Sequence, residues 1–368
     1  MALIKASRDA VLRPLQTVAG ITEKKSTMPI VANVLIRKDG TRISFVGTDT
    51  ELQITTTAEI GGHSDDTAIT VSARKLLEVL RALPESLEVS FSVQGGRASI
   101  QAGRSRIALQ TLPADEFPEL LLQEACETEL LVPQRALRQL LQMVHFAMAQ
   151  QDVRYYLNGL LVAIDGRCFR AVATDGHRLA CFTMDIEQEL PRQDFILPRR
   201  TVNELLRLLG DTEEPVRLEV FPSRLKVSFG SIEILSKLVE GKFPDYERVI
   251  PKNLDRLARI DRQSLVGSLH RAAVVTTEKH RGVRMSFHKD QLTLQTRNAD
   301  QEEVNDEIGI AYDDETVEIA FNLVYLSEVF TQLQSETVLI ALRDGSSSAL
   351  ISIPDTDAFR YVVMPMRL

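Results

Sequence analysis

The densest group of chemically capable side chains is the stretch TDGHRLA at 174–180, which sets Asp175, His177 and Arg178 within four residues. A carboxylate, an imidazole and a guanidinium this close could carry acid–base chemistry or hold an anion. Their spacing points elsewhere: an Asp-Gly step at the end of a β-type run is a turn signal. The six histidines include no H-x-x-x-H or H-E-x-x-H pair, so no metal site is expected. No G-x-x-x-x-G-K-[ST] loop and no G-x-S-x-G elbow occurs. Cys126, Cys168 and Cys181 are odd in number and lack C-x-x-C spacing, which argues against a disulfide framework or a cysteine zinc site and fits a reducing cytoplasm. The expectation is a chain with no catalytic residue, no metal and no cofactor, in which His177 and Arg178 line a pocket.

The elements that must position this stretch recur along the chain. FVGTDTELQI (45–54) matches AVATDGHRLA (171–180), with Thr48 and Thr174 126 residues apart. Phe117 and Phe243, in DEFPEL and GKFPDY, share that separation, as do Glu78 and Glu204 in two helical segments. QLTLQTRNAD (291–300) takes the same place in the last third. Apolar residues at three- and four-residue steps predict helices within 7–18, 72–83, 133–150, 198–209, 261–275 and 321–334. Alternating runs such as RASIQAG and RLKVSFG predict strands between them. The reading is an α+β chain of three repeated domains, 1–125, 126–253 and 254–368, each with two helices on antiparallel sheets.

Charge is unevenly spread. The chain carries a net −8, yet Arg and Lys outnumber Asp and Glu in five of the six helical windows. If those helices share a surface, that surface attracts phosphate while the rest of the chain repels it. In AQQDVRYYLNG (149–159), Tyr155 and Tyr156 follow Arg154, and adjacent strand residues point to opposite faces, so one of the two faces a partner. No run approaches the ~18 apolar residues of a membrane span, and MALIKASRDAVLRPL has charges where a secretory leader is apolar.

QDVRYYLNG, ATDGHRLA, SKLVEGKFPDYERVIPKN and the terminal YVVMPMRL together closely resemble the bacterial DNA polymerase III β subunit, the sliding-clamp family, in order along the whole chain. The resemblance implies a head-to-tail homodimer closing a pseudo-sixfold ring around duplex DNA. It implies a non-catalytic processivity factor, cytoplasmic and nucleoid-associated, that slides on DNA through weak, sequence-blind contacts. The implied partners are the replicative polymerase α subunit, the clamp loader, translesion polymerases, and mismatch-repair and ligase proteins, each docking through a short apolar peptide.

The resemblance also implies sites. Arg154, Leu157, Thr174, Gly176, His177, Arg178, Leu179, Pro244, Arg248 and Val249 match the family's peptide pocket, with Asn322, Tyr325 and Ser348. The terminal Val362, Val363, Met364, Pro365, Met366 and Arg367 complete it, and methionine suits a pocket that repacks around several peptides. For DNA the matching positions are Lys25, Arg74, Gln151, Tyr155 and Tyr156, then Arg199, Arg200, Lys279 and Arg281. Lys25 stands where an arginine is common in the family, and the chain has no tryptophan. Ring closure would set Arg104, Arg106, Ile107 and Leu109 of one subunit against Val274, Val275, Asp300, Glu302 and Glu303 of the other. A non-ring DNA-binding regulator and a clamp paralogue are the alternatives.

Overall fold

The computed structural model describes residues 2–22, 28–277 and 281–367. Lys25 and Lys279 lie outside the described residues. Six α-helices appear among those described: α1 (Arg8–Ala19), α2 (Ala73–Ala82), α3 (Gln134–Gln142), α4 (Arg199–Leu208), α5 (Arg262–Ala273) and α6 (Leu323–Gln332). Each falls inside a window with helical periodicity, except that α1 runs one residue past its own.

Several of their starts are written in single side chains. Ser7 accepts from the N–H of Ala10 and Asp261 from that of Ser264, so the first helix of the first and last repeats is capped alike. Ser72 and Asn322 cap the second helices, accepting from Lys75 and Val324. Each cap satisfies a backbone donor that the first helical turn leaves free.

The chain forms two compact units, Met1–Arg135 with Asn203–Leu238, and Ala136–Val202 with Val239–Leu368. The first is built on a twelve-stranded sheet in which the strands Leu52–Glu59 and Ile232–Lys237 pair antiparallel, Ile54 opposite Ile234. Its core includes Ile30, Val31, Leu35, Val46 and Phe117. The second unit holds a six-stranded and a four-stranded sheet. Within the six-stranded sheet the strand Arg178–Pro198 is paired on one side with Gly159–Thr174 and on the other with Phe359–Val363. A core of Leu157, Leu161, Leu179, Ile196, Phe243 and Val362 packs on it. Phe117 and Phe243, one repeat length apart, thus do the same work in two cores.

The central repeat contributes to both units because its two sheets continue into those of its sequence neighbours. Pairing outer strands this way satisfies backbone groups that would otherwise form exposed edges.

Candidate functional site

The TDGHR stretch is a hairpin turn between the strands Gly159–Thr174 and Arg178–Pro198. The Asp175 carboxylate accepts the backbone N–H of His177 at 2.9 Å and of Arg178 at 3.1 Å. The Thr174 hydroxyl donates to the Arg178 carbonyl at 2.6 Å and accepts the Gly176 N–H at 3.1 Å. Gly176 sits at φ +91°, where a side chain is strained. The same pattern recurs in the first repeat: Asp49 accepts from Glu51 and Leu52, Thr48 bonds Leu52 and Thr50, and Thr50 takes φ +78°. Asp175 is therefore a turn builder, with the role of Asp49 in a turn that has no histidine.

Arg178 is buried and fully engaged. Its guanidinium donates to Asp175 at 3.1 Å, to the Phe146 carbonyl at 2.6 Å, and to Glu328 of α6. It also lies 4.3 Å from the Tyr325 ring centroid. Burial works against its charge, but the pull of Tyr361 and Glu328 wins, and its pKa ends above the ordinary arginine value. Tyr361 donates to the Tyr325 carbonyl at 3.0 Å, and burial pushes its hydroxyl far up. Arg178 thus ties the turn to α6.

Beside the turn, Arg154 grips Asp152 through both carboxylate oxygens, at 3.0 and 2.9 Å, and reaches the Asp175 carbonyl at 3.2 Å. The hydrogen bonds from the Arg154 side chain, then from its backbone N–H, bring the Asp152 pKa down to about 2. The guanidinium lies across Gly176, where an added Cβ would stand 3.0 Å from it.

These groups frame a cavity of about 170 Å³ lined by Arg154, Leu157, Thr174, Gly176, His177, Arg178, Leu179, Pro244, Val249, Val362 and Met364. The volume suits one or two apolar side chains, well short of a whole drug-sized ligand. All eleven are among the positions that the family resemblance implies.

The remaining expected members lie elsewhere. Arg248 is exposed and paired to Asp245 at 2.8 Å. Asn322 spends its side-chain oxygen as the α6 cap, and Tyr325 lies beneath Arg178. Ser348 immediately precedes the strand Ala349–Ser352, and Val363 is in the core, paired with Ala349 and Arg178. The tail beyond Val363 crosses the unit: the Met364 N–H bonds the His177 carbonyl at 3.0 Å, and the Met366 N–H bonds the Ala320 carbonyl at 2.7 Å. Pro365, half-buried, lies between these anchors, while Met366 and Arg367 line a different cavity.

Corrections also fall on the DNA set. Tyr155 and Tyr156 belong to a short 3-10 turn, Tyr155–Leu157, and not to a strand. Tyr155 is 57% exposed while Tyr156 packs on the core, so one of the pair still faces outward. Arg199 turns inward to the Met148 carbonyl at 2.9 Å. Arg200 is half-buried, Arg74 is paired with Glu78 at 2.8 Å, and Gln151 is exposed at φ +55°. Arg281 lines the cavity beneath Met366. Some helix arginines also brace the fold: Arg207 donates to the Thr17 carbonyl at the end of α1, and Arg262 to the Phe330 carbonyl of α6.

The positions expected at ring closure sit at open sheet edges. In the first unit the strand Ser105–Leu112 pairs along Ser105–Gln110 on one side only, among the described residues. Arg104 and Arg106 are exposed there, with Ile107 and Leu109 half-buried. In the second unit Glu303–Gly309 is the outer strand of its sheet, with Asp300, Glu302 and Glu303 exposed and Val275 half-buried. Val274 is 81% exposed at the end of α5.

Three family models tile the chain: the N-terminal domain of the DNA polymerase III beta subunit over 3–121, its central domain over 131–245 and its C-terminal domain over 247–367. The chain belongs to the DNA polymerase III beta subunit family. Relatives named beta sliding clamp agree: that of Pseudomonas putida is 42% identical and that of Escherichia coli 40%, each match covering 98% of both chains. Among solved structures, a DNA polymerase III subunit beta from Pseudomonas aeruginosa superposes with a TM-score of 0.94 at 39% identity, covering 99% of this chain and 100% of that one. A sliding clamp of the same organism, bound to griselimycin, matches equally well over the full length of both chains. No helix among the described residues is long and apolar enough to cross a membrane.

Proposed function

We propose that this beta-subunit family member works as a DNA sliding clamp: a non-catalytic processivity factor whose chains close head to tail into a ring on duplex DNA. The three thirds, 1–125, 126–253 and 254–368, are its clamp domains. The observation that carries the reading is the apolar cavity beside Met364, framed entirely by residues that match the family's peptide pocket. A peptide that buries one or two apolar side chains there gains about 1.5–3 kcal/mol for each. A tether of this kind turns polymerase rebinding into a local event at high effective concentration.

The same pocket would serve the polymerase, a loader and repair proteins in turn. The methionine at its mouth supports that exchange, because a flexible thioether repacks at low cost. For DNA, exposed Tyr155 and Gln151, with Lys25, Lys279 and Arg74, are the contacts we retain; Arg199, which bonds backbone carbonyls, is a scaffold residue.

Loading onto nicked circular DNA by an ATP-driven clamp loader tests the proposal. Chains on the circle should stay through a high-salt wash and leave after the circle is linearised. Equal retention on circular and linear DNA, or a monomer at micromolar concentration, would refute the ring and favour a non-ring DNA-binding regulator.

A further inference from the structure

A second cavity, about 600 Å³, opens on the outward face of the four-stranded sheet, beneath the chain's terminal residues. Four guanidiniums line it, from Arg281, Arg284, Arg297 and Arg367, against one carboxylate, Glu303. In a chain of net −8 this concentration is unusual, and many arginines elsewhere in the fold are paired with acids. Arg284 is exposed on its strand, while Arg297 reaches the Gln301 amide oxygen at 3.4 Å. Guanidinium forks gathered without matching carboxylates form a receptor for planar anionic groups.

The terminal segment runs from one cavity to the other. Met364 lines the apolar one, and two residues later Met366 lines the arginine groove, so roughly 7 Å of extended backbone joins them. Both ends of that link are pinned, by the His177 and Ala320 carbonyls. Ala320 pairs across the sheet with Arg284, which fixes the tail over the groove.

We propose that the arginine groove is an extension of the docking site that holds acidic residues flanking the apolar core of a partner peptide. The proposal rests on the peptide-docking reading of the apolar cavity. A peptide seated on Met364 needs only two or three further residues to cross the tail and set carboxylates among the arginines. A long polyanion such as nucleic acid fits less well, because Glu303 stands in the groove and the strand beyond it carries Asp306 and Glu307. A second copy of the chain fits the groove itself less well too: its basic edge at Arg104 and Arg106 suits the acidic strand Glu303–Gly309 at the groove's rim, not the four guanidiniums inside it.

Fluorescence anisotropy on the full-length chain tests this with synthetic peptides sharing one apolar core. The core is extended on either flank by Glu-Asp, Ser-Gly or Lys-Lys. The acidic extension on one flank should bind on the order of fivefold tighter than the neutral one, and the gain should fade as salt is raised. Arg284→Glu/Arg297→Glu should abolish the gain and leave affinity for the unextended core unchanged, with solution mass reporting that assembly is intact. Core binding with no gain from either acidic flank overturns the groove alone. A gain that survives the double reversal, or loss of the acidic peptide to a short single-stranded oligonucleotide competitor, also overturns it. A core peptide that does not bind at all removes the docking reading and this extension with it.

Discussion

Gly176 and Thr50 occupy the same place in two copies of one turn, both at positive φ, and only one of them suits it. A β-branched residue in the left-handed region is strained. Thr50→Gly should therefore raise the melting temperature, by the equivalent of roughly 1 kcal/mol. Gly176→Ala should cost about 1–3 kcal/mol, since its Cβ meets both the wrong φ and the Arg154 guanidinium. Differential scanning calorimetry on both variants checks this, and a stabilised Gly176→Ala would overturn the account. The two turns share one logic, and that logic was legible in the Thr-Asp repeat. The partners of Arg178 were not: Glu328 lies 150 residues away, and no local pattern foretells such a bond.

The tail shows how an element can begin as core and end as surface. Val362 and Val363 belong to a central strand and are buried, so YVV is apolar for the fold's sake. Met364 and Met366 are 42% and 37% exposed, and they are apolar without such a need. Val362 does both, sitting in the strand and lining the cavity; where strand ends and pocket wall begins was not legible, because strand pairing on both sides is a tertiary fact absent from the tail's own sequence. Deleting Met364 to Leu368 should leave the melting temperature within a few degrees, since the paired strand remains. It should weaken an apolar docking peptide by about tenfold or more, because Met364 forms one wall of the cavity. Titration of a labelled peptide reads this directly; unchanged affinity would remove the tail from the site. The helices, by contrast, were plain in the sequence, because periodicity and a capping side chain are both local. Their positive charge was legible too, but not which arginines also brace the fold: Arg207 and Arg262 reach carbonyls at the ends of neighbouring helices.

At the scale of the whole molecule, two open sheet edges of opposite charge need partners. A strand edge left bare invites pairing with another chain. Here Ser105–Gln110 is basic with half-buried Ile107 and Leu109, while Glu303–Gly309 is acidic beside exposed Val274. Because the edges differ, pairing them is heterologous, and only a rotation that closes avoids an open filament. Closure with two subunits means each chain offers both edges, so one substitution strikes both contacts of the dimer. Ile107→Asp places a carboxylate at the apolar centre of the contact, next to the acidic strand. The cost is about 1–3 kcal/mol per contact from desolvation alone, before like-charge repulsion adds to it. Sedimentation equilibrium should show the variant as a monomer at micromolar concentration where the parent is a dimer. Its circular dichroism should be unaltered, because the strand that carries Ile107 stays paired to Arg97–Ala102. The monomer should also leave circular and linear DNA equally fast, separating topological retention from surface affinity. A dimer of parental strength would mean that these edges are not where the chains meet.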